Sequence, residues 1–190
     1  MKHKPTRFNS HPRSGRDCKG SWEYGFSLPE ALTAIVLGAL IFVVSATACV
    51  AFLKRAWTHD AVAQAESLGS RMSASITSAM KTSSAWSIYP DKQSYLADPI
   101  NNVSAQGNAL VCQTNTASGQ TIVVLFAFEN GLLTRSENSV ANTTNAISNV
   151  TPTSIYMFNQ NMGLVSGSFQ IRTPLERLTF DAYGTSPRMR

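Results

Sequence analysis

Residues 25–53 begin Gly25-Phe26-Ser27-Leu28-Pro29-Glu30 and continue ALTAIVLGALIFVVSATACVAFL. One carboxylate, Glu30, stands at the mouth of 23 residues that carry no other charge. As a helix at about 1.5 Å per residue, that run extends roughly 34 Å, enough to cross a hydrocarbon core of about 30 Å. An acidic residue deep in a membrane helix costs about 2.5–3.5 kcal/mol on insertion scales. At the edge the cost is smaller, but an ordinary anchor has no use for Glu30. Pro29 falls in the first turn of the expected helix, where a missing N–H breaks no bond.

Charge is divided unevenly around this run. Before it, Lys2, Lys4, Arg7, Arg13, Arg16 and Lys19 face only Asp17 and Glu23; from residue 26 onward the chain is nearly neutral, although the whole carries +5. A nucleic-acid footprint needs a basic patch on the folded part, and none is evident there, so no nucleic-acid partner is expected. The basic segment reads instead as topology: by the positive-inside rule residues 1–25 stay in the cytoplasm and the C-terminal part lies outside. Residues 1–24 hold Pro5, Pro12, Gly15 and Gly20 without apolar periodicity and are set apart from the fold as a leader.

The hexapeptide resembles the processing site of type IV prepilins and of the pseudopilins of type II secretion. The resemblance implies that a prepilin peptidase cuts between Gly25 and Phe26, that the new N-terminal Phe26 is methylated, and that Glu30 serves filament assembly. It also implies a pilin-like fold, a cytoplasmic-membrane precursor crossing once, and other pilin or pseudopilin subunits as partners. Two rival readings stay open. A permanently anchored extracytoplasmic binding module would keep its leader. A secreted or lipidated protein would be cut near Ala46-Thr47-Ala48 or Cys49, although the apolar run continues through Val50, Ala51, Phe52 and Leu53.

Beyond the run the pattern becomes striped. Trp57, Ala61, Ala65, Leu68, Met72, Ile76 and Met80 recur every three or four residues, one face of a helix packed on a sheet. Gly69 weakens that helix by up to about 1 kcal/mol relative to alanine. From residue 86 strand signals take over: 87–89 before Pro90, 109–113, Thr121–Glu129, then 132–135 after Asn130-Gly131. Asn-Gly suits a type I′ hairpin turn, since both residues tolerate positive φ. Residues 136–153, rich in Ser, Thr and Asn, read as a solvated loop, and strands follow at 154–158, 167–172 and 177–182. The hairpin around Asn130-Gly131 also looks like that of the minor pseudopilins called J.

The expected architecture is α+β: a leader at 1–25, a transmembrane and filament-core helix at 26–53, its amphipathic continuation at 54–85, and one antiparallel sheet domain at 86–190. Catalytic constellations are missing from this reading. His59 beside Asp60 stands on an exposed helix rather than in a pocket. One exported histidine and one exported cysteine, Cys112, cannot close a zinc site, and Gly163 and Gly167 read as isolated turn residues. Major pseudopilins often bind calcium near the C-terminus, where this chain offers only Asp181. No enzyme, metal or cofactor is expected. Asn102, Asn142 and Asn149 match the glycosylation acceptor pattern by composition and read as loop residues. Cys112 reads as a buried strand residue. Lys54 and Arg55 mark the membrane exit, or also meet an acidic neighbour in a filament.

Overall fold

The computed structural model describes residues 27–138 and 143–185. The leader, the Gly25–Phe26 junction and the acceptor Asn142 lie outside the described residues. The chain divides into two units between Val50 and Ala51, and one helix, α1 (Leu28–Thr82), runs through the boundary for 55 residues. It starts where the Ser27 carbonyl accepts the N–H groups of Glu30 and Ala31, at 2.9 and 3.0 Å. At its end the buried Ser83 returns its hydroxyl to the Met80 carbonyl at 3.0 Å, and Ser84 N–H reaches Gln113 O at 2.8 Å. The helix therefore passes straight into the sheet with no linker.

The second unit is α+β, with α1 packed on antiparallel sheets, but there are two sheets rather than the single one expected. The first orders β1 (Ala85–Tyr89), β3 (Ala109–Asn115), β4 (Thr121–Glu129), β5 (Leu132–Glu137) and β6 (Thr143–Ile147) as β1-β3-β4-β5-β6. The second runs β10 (Arg177–Thr185), β9 (Leu164–Arg172), β8 (Phe158–Asn161), β2 (Gln106–Gly107), and β7 (Val150–Pro152) also pairs with β9. Between β1 and β2 lies a short helix, α2 (Lys92–Ala97), capped by the Asp91 carboxylate, which accepts Ser94 N–H at 2.7 Å. That bond holds the Asp91 carboxyl below its usual range.

One core fills the space between α1 and the inner faces of both sheets. Met72, Ile76 and Met80 of α1 meet Ile88, Leu110, Phe126 and Leu133 from the first sheet and Phe158, Val165, Phe169 and Ala182 from the second. On the outer face of the first sheet α2 helps cover Tyr89, Ala109, Val111, Leu125 and Ala127. Tyr95 packs edge-on against Tyr89 with centroids 5.2 Å apart. Strand β4 is buried on both faces, which is why its sequence reads as a near-continuous apolar run rather than an alternation. At Asn130-Gly131 both residues take positive φ, 51° and 79°, the geometry that a type I′ hairpin requires.

Several expectations need correction. The helical stripe holds at Met72, Ile76 and Met80, which are buried, and at Ala65, which packs against the core. Gly69 is buried with them, whereas Trp57 is 73% and Leu68 45% exposed. Gly69 is part of the contact, because a Cβ there would overlap the Phe180 ring. Phe180 in turn stacks on Phe169 at 5.4 Å. The supposed loop 136–153 contains β6 and β7, of whose residues Ile147 and Val150 are buried in the core. The strand expected at 154–158 begins only at Phe158, and the strands expected at 167–172 and 177–182 extend to Leu164 and Thr185. Gly167 is no turn residue; it lies inside β9 against the Phe158 ring.

Two outcomes follow from this packing. Gly69→Leu is expected to lower the unfolding free energy by about 1–3 kcal/mol through overpacking against Phe180, while Leu68→Ala stays within about 0.5 kcal/mol; urea titration of the two variants distinguishes a stripe that passes through Gly69 from one that passes through Leu68. Cys112 is buried on β3, and burial pushes its thiol up to about 12, against a smaller downward effect of the Ser83 hydrogen bond. The folded chain thus keeps this proton where the unfolded chain, with a thiol near 9, has lost it. Stability should be unaffected by this group below pH 9 and fall as pH rises through the window between those values. Cys112 should resist alkylation at pH 8 until the domain is unfolded, as mass spectrometry of the modified chain would register.

Candidate membrane and assembly helix

The first part of α1 carries the residues singled out in the sequence. Every residue from 27 to 57 is exposed. The most apolar stretch of α1 has none of its residues buried. By length and composition this helix is apolar enough to cross a membrane. Its large apolar side chains fall all round the circumference: Ile35, Val36 and Leu37 are consecutive, as are Ile41, Phe42, Val43 and Val44. A surface helix of a water-soluble domain is apolar on one stripe only; one that is apolar all round needs apolar surroundings on every side.

The two threonines inside this stretch turn their hydroxyls inward to the helix backbone. Thr47 Oγ1 lies 3.0 Å from Val43 O and 2.9 Å from Val44 O, and Thr33 Oγ1 donates to Glu30 O at 2.9 Å. Hydroxyls bonded in this way need no water, which suits them to lipid or to a dry helix bundle. Ala34 and Gly38, one turn apart, leave a shallow place on the surface, and nothing lies within 4 Å of where a Gly38 Cβ would stand.

Glu30 occupies the third helical position, exposed, in a turn whose free N–H groups favour negative charge. The spacing Ser27-x-x-Glu30 is that of a capping box, a helix-start signal present in the sequence and passed over in its reading. Among the described residues the single ion pair is Arg135–Glu137 at 3.0 Å, so Glu30 has no cationic partner within that set. Gly25 and Phe26, the expected cleavage and methylation residues, precede the described residues, and the structure does not bring them into view beside Glu30.

At the other end Lys54, Arg55 and Trp57 are exposed. His59 is exposed too, and the carboxylate of Asp60 accepts Gln64 Nε2 at 2.9 Å. Among the described residues no three His, Cys, Asp or Glu side chains gather as metal ligands. A cleft of about 310 Å³ opens on the outer face of the first sheet between α2 and β4, with Tyr95, Leu96, Pro99, Val123, Leu125, Ser136 and Asn138 around it. Its rim is fixed by Asn138, whose side-chain oxygen accepts Val123 N–H at 3.1 Å.

Comparison with known proteins yields no match for this chain among family models, curated proteins or solved structures.

Proposed function

We propose that this chain is a structural subunit, a pilin or pseudopilin of a type IV pilus or a type II secretion pseudopilus, made as a membrane precursor and processed by a prepilin peptidase. The observation that carries the reading is the conjunction on α1: one carboxylate in the first turn, a bare apolar circumference after it, and direct continuation of the same helix into a packed α+β domain. A membrane tether alone needs neither the carboxylate nor a helix that continues into the domain. The J-like hairpin at Asn130-Gly131 and the scarcity of C-terminal carboxylates favour a minor subunit over a major one.

In this reading the precursor sits in the cytoplasmic membrane with residues 1–25 inside. Cleavage after Gly25 removes a charged leader that resists extraction of the helix from the bilayer. Methylation of Phe26 follows. Helices of neighbouring subunits then replace lipid around residues 31–53, packing through small residues such as Ala34, Gly38, Ala39 and Ala46. In that dry core a lone carboxylate is unfavourable, and the positive N-terminus of the adjacent subunit is its partner. Because a buried ion pair is stable only in good geometry, Glu30 would set the axial register.

The deciding measurement is the intact mass and N-terminal sequence of the membrane-extracted chain, made with and without the peptidase. The expected product begins at Phe26, is one methyl group heavier, and depends on the peptidase. A chain that begins at Met1 in both samples would be a fixed anchor, and a product beginning at Cys49 or Val50 would be a secreted one; either result sinks the proposal. For Glu30→Ala the expectation is unchanged cleavage and incorporation into filaments reduced about tenfold or more, read by immunoblotting of sheared filaments against membranes. Wild-type incorporation of the variant would remove Glu30 from assembly.

A further inference from the structure

The turn between β9 and β10 carries charge for which the domain has no use. Arg172 and Arg177 are directly opposed partners at the end of that hairpin, both exposed, and like charges so placed weaken a sheet. The single ion pair among the described residues involves neither. Between them the turn is held by Thr173, whose Oγ1 donates to Glu176 O at 2.7 Å and accepts Glu176 N–H at 3.0 Å. It presents Leu175 at 57% exposure. An ordered turn thus displays an apolar side chain between two arginines.

Contacts along α1 give the height of this turn. Phe180 abuts Gly69, Ser73 Oγ donates to Asp181 O at 2.5 Å, and Gly184 abuts Met80. β10 therefore ascends with α1, and its first residue, Arg177, lies towards the helix's N-terminal side. Three strand residues at about 3.3 Å set Arg177 roughly 10 Å before Phe180, which is about six or seven helical residues before Gly69. Burial agrees: residues 27–57 of the helix are exposed, and partial cover starts at Thr58, Ala61, Val62 and Ala65. The uncharged run ends at Leu53, so the height of Arg177 is roughly 14 Å above it. A headgroup layer takes about 5–8 Å of that, and an extended arginine side chain spans most of the rest.

We infer that Arg172, Leu175 and Arg177, together with Lys54, Arg55 and Trp57, form a docking surface for the anionic phospholipid headgroups of the membrane that the helix crosses. The inference rests on the reading of residues 31–53 as membrane-spanning. Charge complementarity carries it: Lys54 and Arg55 stand within about 3 Å of the end of the uncharged run and Arg172 and Arg177 roughly 14 Å above it. Four cations thus bracket the headgroup layer against the carboxylates of Asp60 and Glu176, with Trp57 and Leu175 as the amphipathic and apolar groups that favour an interface. Juxtamembrane arginines and lysines bind an anionic surface additively, and the attraction fades within a Debye length. The turn would hold the domain upright on the membrane before assembly.

The test is amide hydrogen exchange of the full chain in lipid nanodiscs of phosphatidylcholine alone and of phosphatidylcholine mixed with phosphatidylglycerol. The expected result is exchange at Leu175–Arg177 slowed about fivefold or more by the anionic lipid and restored by high salt. The turn after β3, at residues 116–120, should not change, since the strand leading to it meets the far end of α1 through Ser84 and Gln113. The double variant Arg172→Gln, Arg177→Gln should lose the lipid effect while the rest of the domain exchanges as before. Equal exchange in both lipids would overturn the inference, as would slowing in phosphatidylcholine that grows with the number of chains per disc, which would mark a neighbouring subunit as the occupant. Rapid exchange across residues 31–53 in both discs would instead overturn the membrane-spanning reading itself.

Discussion

Water is a poor medium for the apolar circumference of α1 between Leu32 and Leu53, and the described chain leaves that circumference bare. The hydrophobic effect makes such a surface unstable in isolation; it must meet lipid or the helices of other chains. Its two threonines answer the same demand, with the hydroxyls of Thr33 and Thr47 returned to backbone carbonyls. Glu30 stands apart as the charged group at the head of this run. It sits at the edge of the run, where a partner from outside the chain can be met.

Past Thr58 the surroundings of the helix change, and its composition changes with them. Only the stripe Gly69, Met72, Ile76 and Met80 is apolar and buried, because two sheets now provide the cover on one side. The absence of a side chain at Gly69 lets the Phe180 ring lie against the helix backbone, and Gly184 admits Met80 in the same way. These close approaches let a nine-residue strand, β10, run along the helix, and this sets the β9–β10 turn towards the N-terminal side of the contact at Gly69. Local steric choices in the core therefore set the height of charges far from it.

Some elements were legible because their signal is local. Asn130-Gly131 specifies its turn by the φ values that those two residues tolerate, and Thr121–Glu129 is long, apolar and bounded by turn residues. Others were hidden because their signal is weak or competes with another. β6 and β7 lie in a stretch of Ser, Thr and Asn whose composition argues for a loop; only Ile147 and Val150 face inward, and neighbouring strands hold the rest. α2 has six residues, too few for a period to show, and its one visible sign was Asp91 as a cap after Pro90. The stripe of α1 was read through Leu68 because leucine favours burial, while the residue that the core used was the glycine beside it.

The sequence by itself determined the long helix, its uncharged run, the position of Glu30 at the head of that run and the α+β class, since each depends on periodicity, charge or the φ preferences of a few adjacent residues. The tertiary structure alone decided that the strands divide into two sheets, that the helix turns its Gly69 face to them, and that the turn with Arg172, Leu175 and Arg177 lies towards the N-terminal side of that contact. Those features depend on which residues more than a hundred positions apart can approach within van der Waals contact, and the order of side chains along one strand or one helix does not encode that approach.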